Sequence, residues 1–188
     1  MKNNNTETDE AVYRRYLANG DENDLRTLLT RHREELTFFL YGILHNMEDS
    51  EELMLDTYAV AASGTSKFSG KSSFKTWLFA IGRNLSLKRL RKIRFGFLPL
   101  DENIVAGTGI PDVEILGQER NSKLYEALEK IKPEYRNALH LAFFENMSSE
   151  EISVVLKKNV KQVYNLVSRG KAALKTELEK TGYHWELR

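Results

Sequence analysis

From Thr57 to Leu100 the chain contains no aspartate or glutamate, while the same interval holds Lys67, Lys71, Lys75, Arg83, Lys88, Arg89, Arg91, Lys92 and Arg94. A one-signed field of this length suits a surface that meets a polyanion, because each neutralised phosphate releases condensed counterions. The bland alternative is a solvated basic face. The run opens as a Gly/Ser-rich loop and becomes a helix from about Ser73. Along that helix Phe74, Trp77, Leu78, Ile81 and Leu85 recur at i, i+3, i+4 and i+7, which predicts one buried apolar stripe. Thr76, Arg83, Leu87, Arg91 and Arg94 fall on the opposite side. Trp77 therefore belongs to the core, and Arg83, Asn84, Lys88 and Arg91 are the candidates for nucleic acid. Asn pairs bidentately with adenine, and Arg with guanine or phosphate. Phe68 has no helical partner and two readings: a platform for an unpaired base, or an anchor of the loop.

Charge is segregated along the chain. Residues 1–60 hold 6 Lys/Arg against 13 Asp/Glu, residues 61–95 hold 9 against none, residues 96–121 hold 1 against 5, and residues 122–188 hold 12 against 9. An acidic front, a basic middle and a mildly basic end imply more than one macromolecular partner. The 188 residues suffice for one medium domain or two small ones. No run of eighteen apolar residues is present, so no transmembrane helix and no direct membrane insertion are expected. The polar, acidic start MKNNNTETDEAV is unlike a signal peptide. The absence of cysteine excludes disulfides and thiolate metal sites and fits a cytoplasmic protein. His32, His45, His140 and His184 show no ligand spacing, so neither metal nor cofactor is expected.

The periodicity predicts an all-α chain of two small helical domains joined by a flexible linker, the second containing a helix-turn-helix. Residues 1–23 read as an N-terminal tail with a short helix over Val12–Ala18, closed by Asn19-Gly20-Asp21. Residues 24–95 form the first domain: a helix to about His45, a second capped by Asp49 or Ser50 and running to Ala62, and the basic helix. Residues 96–118, with Gly96, Pro99, Gly107, Gly109 and Pro111, form the linker. It can reach at most roughly 75 Å at ~3.3–3.6 Å per residue and relaxes to about 25–28 Å. Two DNA-binding units so joined can sit two helical turns apart. Residues 119–180 form the second domain, and 181–188 a tail, whose His184-Trp185 pair has no assigned role.

In that second domain Leu124, Ala127, Leu128 and Ile131 mark a helix stopped by Lys132-Pro133, and Tyr135, Leu139, Ala142 and Phe143 mark the next. Ser148 and Glu151 form a capping box. Asn159 with Gln162 resembles a second N-cap, opening a helix to about Lys180. Val163, Val167, Gly170 and Leu174 are its inner line, leaving Lys161, Gln162, Tyr164, Asn165, Ser168, Arg169 and Lys171 facing outward. A short helix, tight turn and polar-faced helix make the helix-turn-helix plan, whose second helix enters the major groove.

Four segments in order resemble a bacterial extracytoplasmic-function sigma factor, a two-domain specificity subunit of RNA polymerase. They are DSEELMLDTY at 49–58, KFSGKSSFKTWLFAIGRNLSLKRLRK at 67–92, LYEALEKIKPEYRNAL at 124–139 and MSSEEISVVLKKNVKQVYNLVSRGKAAL at 147–174. The resemblance implies that Asp49, Glu51, Glu52 and Asp56 dock on core RNA polymerase. It implies that the loop Lys67, Phe68, Ser69, Gly70, Lys71, Ser72 holds a base flipped from the minus-ten element of promoter DNA. Arg83 and Asn84 would read that element's upstream edge, with Lys88, Arg91 and Lys92 on phosphates. Lys161, Gln162, Tyr164, Asn165, Ser168 and Arg169 would face the minus-thirty-five element. An anti-sigma factor is implied as a further partner. Three positions depart from the family pattern: Leu55 replaces a glutamine, Lys157-Lys158 occupy a turn that usually has glycine, and Leu166 stands where arginine is frequent. Asn159, tolerant of a left-handed backbone, is expected to compensate in the turn.

No catalytic residues are expected, since strand separation requires a pocket and a cationic surface rather than a nucleophile. Ser69-Gly70-Lys71-Ser72 resembles the end of a phosphate-binding loop, but the first glycine of G-x-x-x-x-G-K-[ST] would fall at Thr65, and helix rather than strand precedes it. The alternative function is a stand-alone helix-turn-helix regulator, which would dimerise on a palindrome and need no polymerase.

Overall fold

A computed structural model describes residues 7–96 and 119–180, and among these the regular structure is entirely helical. Four helices come first: α1 (Asp9–Asn19), α2 (Glu22–Leu44), α3 (Met47–Ala62) and α4 (Phe74–Arg94). Each starts at a side chain that closes an orphan amide. Thr8 accepts from Ala11 N, Asp21 from Asn23 N, Asn46 from Asp49 N and Ser73 from Thr76 N, each contact contributing about 1 kcal/mol. The cap of α3 is thus Asn46, not Asp49 or Ser50. Asp49 instead sits in the first turn, where an acid complements the helix dipole.

The short helix expected over Val12–Ala18 is longer and is tied down. Val12 and Tyr13 are each 1% exposed, and Tyr13 and Tyr16 donate their hydroxyls to the Ala61 and Ala62 carbonyls at the end of α3. Leu28, Leu36, Leu40, Phe74, Leu78 and Phe79 fill the space among α1, α2, α3 and α4. Gly82 permits the tight approach of α4, since a Cβ there would stand 3.1 Å from both Leu36 Cδ1 and Leu40 Cδ2.

The second group comprises α5 (Glu119–Lys130), α6 (Pro133–Leu139), a π-helical turn (His140–Phe144), α7 (Ser149–Leu156) and α8 (Val160–Lys180). Pro133 opens α6 at a position where a missing N–H costs nothing. The helix expected to carry Phe143 on its inner face widens instead: Glu145 N bonds to His140 O, one residue further than an α-helix allows. This rotates Phe143 and Phe144 outward, where they are 53% and 40% exposed. The predicted capping box is formed, Ser148 accepting from Glu151 N and Glu151 from Ser148 N. Asn159 and Gln162 make the same reciprocal pair at the start of α8. The left-handed residue of the turn is Lys157 (φ 52°, ψ 47°), so Asn159 does not compensate there; it is the N-cap.

The two helical groups are packed together. Leu141, Met147, Ile152 and Val155 belong to the same buried apolar cluster as Phe39, Leu78 and Phe79, with α7 on α4 and α6 on α2. The sequence predicts units separated by a linker because periodicity reports each helix's own apolar face. It does not report whether two faces meet across 75 residues of chain.

Candidate nucleic-acid interface

The α4 wheel places Phe74, Leu78 and Ile81 inside, with Trp77 and Leu85 half-buried. Thr76, on the side assigned to solvent, is also fully buried, because its hydroxyl donates to Glu151 Oε1 of α7 at 3.0 Å. Arg83 lies two turns further along that stripe. It is half-buried, makes no hydrogen bond or ion pair among the described residues, and burial pulls its pKa below the ordinary arginine value.

The basic run is acid-free in sequence but not in space. Lys75 Nζ lies 2.8 Å from Glu35 and 2.9 Å from Glu145. Burial alone would lower the Lys75 pKa, but the two carboxylates outweigh it and raise it. Arg89 pairs with Asp49 and with Glu52. Lys67, Lys71, Lys88, Arg91, Lys92 and Arg94 remain exposed, with Asn84 beside them.

The loop before α4 turns at Gly64 and Gly70, both with positive φ. Lys67, Ser69, Gly70 and Lys71 are exposed and Ser72 is half-buried. Phe68 is held in an aromatic cluster, 5.8 Å from Tyr13, 6.2 Å from Phe74 and 5.3 Å from Trp77 between ring centroids. Of its two readings, the geometry favours the anchor. Glu10 of α1 reaches the start of the basic helix, accepting from Phe74 N at 2.8 Å. Sequence reasoning missed this role of α1, because Tyr13 and Glu10 lie more than fifty residues upstream of what they hold.

Of the four acids assigned to docking, Glu51 and Asp56 are exposed, Glu52 is exposed and paired, and Asp49 is half-buried against Arg89. Leu55, between them, is 57% exposed. On α8, Lys161, Gln162, Tyr164, Asn165, Ser168 and Arg169 are all exposed, while Val163 and Gly170 are buried. Gly170 is required for closeness, since a Cβ would meet Leu139 Cγ at 3.1 Å. A cleft of about 410 Å³ lies behind this helix, lined by Leu124, Leu128, Leu139, Phe143, Phe144 and Leu178. Its exposed phenylalanines follow from the π turn, which periodicity did not disclose.

A cationic loop and helix on one helical unit and a helix-turn-helix on another are the two parts of a DNA-binding protein. Comparison with known proteins gives the class. The Sigma-70 region 2 model matches residues 28–95 and the Sigma-70, region 4 model matches residues 121–174, together about two thirds of the chain. RNA polymerase sigma factor YlaC of Bacillus subtilis is 26% identical over 161 residues, covering 84% of this chain and 93% of that protein. ECF RNA polymerase sigma factor SigW of the same organism is 23% identical over 170 residues, covering 85% and 91%. Among solved structures, the sigma factor RpoE of Bartonella quintana, crystallised with the anti-sigma factor NepR, superposes with a TM-score of 0.66 at 23% identity, covering 83% of this chain and 97% of that one. CnrH, in complex with the cytosolic domain of CnrY, gives 0.66 at 21%, covering 93% and 99%. The chain belongs to the sigma-70 family of RNA polymerase sigma factors, in its ECF class.

Proposed function

We propose that this chain carries core RNA polymerase to particular promoters, using the first helical group for the minus-ten element and the second for the minus-thirty-five element. The observation that carries the reading is the pairing of two unlike surfaces: the exposed cations of α4 and its loop, and the polar outer face of α8. Lys67, Lys71, Lys88, Arg91 and Lys92 draw in the phosphates of separated strands. Ser69, Gly70 and Ser72 supply a small-residue loop around an extruded base. Arg83 and Asn84 read base edges upstream, and Lys161, Gln162, Tyr164, Asn165, Ser168 and Arg169 enter the major groove. Glu51, Glu52 and Asp56, with Leu55 among them, form the acidic face offered to polymerase; Asp49 positions it through Arg89. Complementary charge there speeds encounter and fixes orientation.

The protein acts by binding energy, not as an enzyme, and works in the cytoplasm, where an anti-sigma factor is its restraining partner. A stand-alone regulator is not favoured, since that role has no use for a match to region 2. In the test, core polymerase and a random promoter library are transcribed with the wild-type chain and with Arg83→Glu, Lys88→Glu, Arg91→Glu combined. The wild type yields discrete start sites and the triple variant, still helical by circular dichroism, loses at least tenfold. Equal transcription by both would refute the assignment.

A further inference from the structure

We propose that residues 181–188 fold back along α8 and seat Tyr183, Trp185 and Leu187 in the apolar cleft of the second helical group, so that the chain covers this cleft with a segment of its own. This cover is independent of the promoter role proposed above, and its test needs neither polymerase nor DNA.

The cleft, about 410 Å³, lies between α5, the π-helical turn and α8, with Leu124, Leu128, Leu139 and Leu174 among its lining. Its aromatic wall is held in place. Phe144 stacks on His140 at 5.2 Å between ring centroids and leans on Tyr125 at 6.1 Å. Lys171 Nζ lies 4.8 Å from the centre of the Phe143 ring. Rings that are fixed yet open to water form an apolar surface suited to a partner. A space of this size takes a few large side chains rather than a whole helical face.

The segment that follows α8 reads TGYHWELR, and it matches the cleft in three ways. Extended, its side chains alternate, so Tyr183, Trp185 and Leu187 share one face and His184, Glu186 and Arg188 the other. Tyrosine and tryptophan bring large contact area on two rotatable bonds each. Reach is the second match. Leu178 and Lys171 both line the cleft, and the helix between them rises roughly 10 Å at ~1.5 Å per residue. After a reversal at Thr181-Gly182, residues 183–187 extend over roughly 16 Å at ~3.3 Å each, enough to run that distance. Glycine just past a helix is the residue that most readily turns the chain off its axis.

Charge is the third match. Among the described residues lining the cleft, only Lys171 and Lys175 are charged, and Glu186 is the single acid of the segment. Lys175 meets Glu179 at 3.7 Å, with both side chains half exposed, a pair that holds it weakly. A rim contact from Glu186 orients the segment, while the three apolar side chains supply the affinity. Attachment decides between this occupant and a free one. A short tether gives an effective concentration of millimolar order, so the attached segment outcompetes a second copy or a foreign segment of equal affinity. Any partner that uses this cleft must first displace it.

The experiment uses the full-length chain carrying Trp77→Phe, which leaves Trp185 as its one tryptophan. Acrylamide quenching then reads the fraction of molecules in which Trp185 is uncovered. Trp185 should be quenched at least threefold more slowly than in the free peptide TGYHWELR. Phe143→Ser, at a half-exposed position, should bring quenching to the peptide value, and Phe143→Leu should leave it slow. Quenching at the peptide rate in the Trp77→Phe chain would overturn the cover. So would shielding that Phe143→Ser leaves untouched, which would put Trp185 elsewhere, or shielding lost on dilution, which would give the cleft to a second copy.

A second arm alters only the segment. Tyr183→Ser, Trp185→Ser and Leu187→Ser combined, in the otherwise unchanged full-length chain, should raise the affinity for an anilinonaphthalene sulfonate dye at least fivefold. A site open only part of the time binds with its affinity reduced in proportion. Equal dye binding by the two chains would show that the segment does not cover the cleft.

Discussion

Replacing Phe68 separates an anchored loop from a base-stacking platform. Its ring meets Tyr13 and Phe74 nearly edge-on, at interplanar angles of 79° and 75°, and Trp77 at 53°. Truncating a fully buried Phe to Ala costs ~3–5 kcal/mol. Phe68 is half-buried, so Phe68→Ala should cost about 2 kcal/mol. At ~2–4 °C per kcal/mol for a chain of this size, the melting temperature should fall by roughly 4–8 °C. Phe68→Leu keeps most of the contact and should cost about 1 kcal/mol or less. The assay pairs thermal unfolding with permanganate reactivity of unpaired thymines in the minus-ten element, in the presence of core polymerase. The anchor reading expects Phe68→Ala to lose both stability and opening, and Phe68→Leu to retain at least half of the opening. If Phe68→Leu melts like wild type but loses opening more than tenfold, the ring stacks on a base and the anchor reading is wrong.

Gly82→Leu should destabilise by at least about 3 kcal/mol, because even a Cβ there meets Leu36 and Leu40 at 3.1 Å; denaturant midpoints measure it. Lys157→Gly should stabilise by about 0.5–1 kcal/mol, since a lysine held at φ 52° gives way to a residue with no left-handed penalty; an unchanged melting temperature would contradict this. Acid should open the interface. Burial alone would raise Glu129, Glu145 and Glu151, but the groups around them outweigh it and hold all three below the ordinary 4.5. Those groups are His45 and Arg136 for Glu129, His140 and Lys75 for Glu145, and Ser148, Ser73 and Thr76 for Glu151. A depressed folded-state pKa gives stability that is complete above about 4.5 and lost as pH falls through the lowered values. Scattering between pH 6 and pH 3.5 should show expansion only at the acid end of that series.

Much of this architecture could be read from residue order alone. The apolar stripe of α4, the capping box at Ser148, the Asn159–Gln162 pair and the inner line of α8 are short-range patterns, and each is present. Part of what escaped the reading depends on residues distant in sequence, and part on where the backbone of a helix begins or ends. Thr76 is buried because a helix 75 residues later covers it. Lys75 and Arg89 leave the cationic field because acids from α2, α3 and the second group reach them. Asn46 rather than Asp49 caps α3, because both residue types cap well and the choice is made by where the backbone leaves its extended form. The left-handed residue fell at Lys157 because the position is set by the end of α7, not by the side chain best suited to it.

Glu151 serves two masters at once. One oxygen closes the first turn of its own helix through Ser148 N, while the other reaches across to Ser73 and Thr76. When the halves separate, only the second set of bonds is surrendered, and Ser73 still holds Thr76 N. Neither helix needs to fray for the molecule to part. A separation of the two groups would therefore be a hinge motion between intact bodies, expected on the microsecond-to-millisecond scale of such motions rather than the slower clock of unfolding, and relaxation-dispersion NMR is the means to test for it.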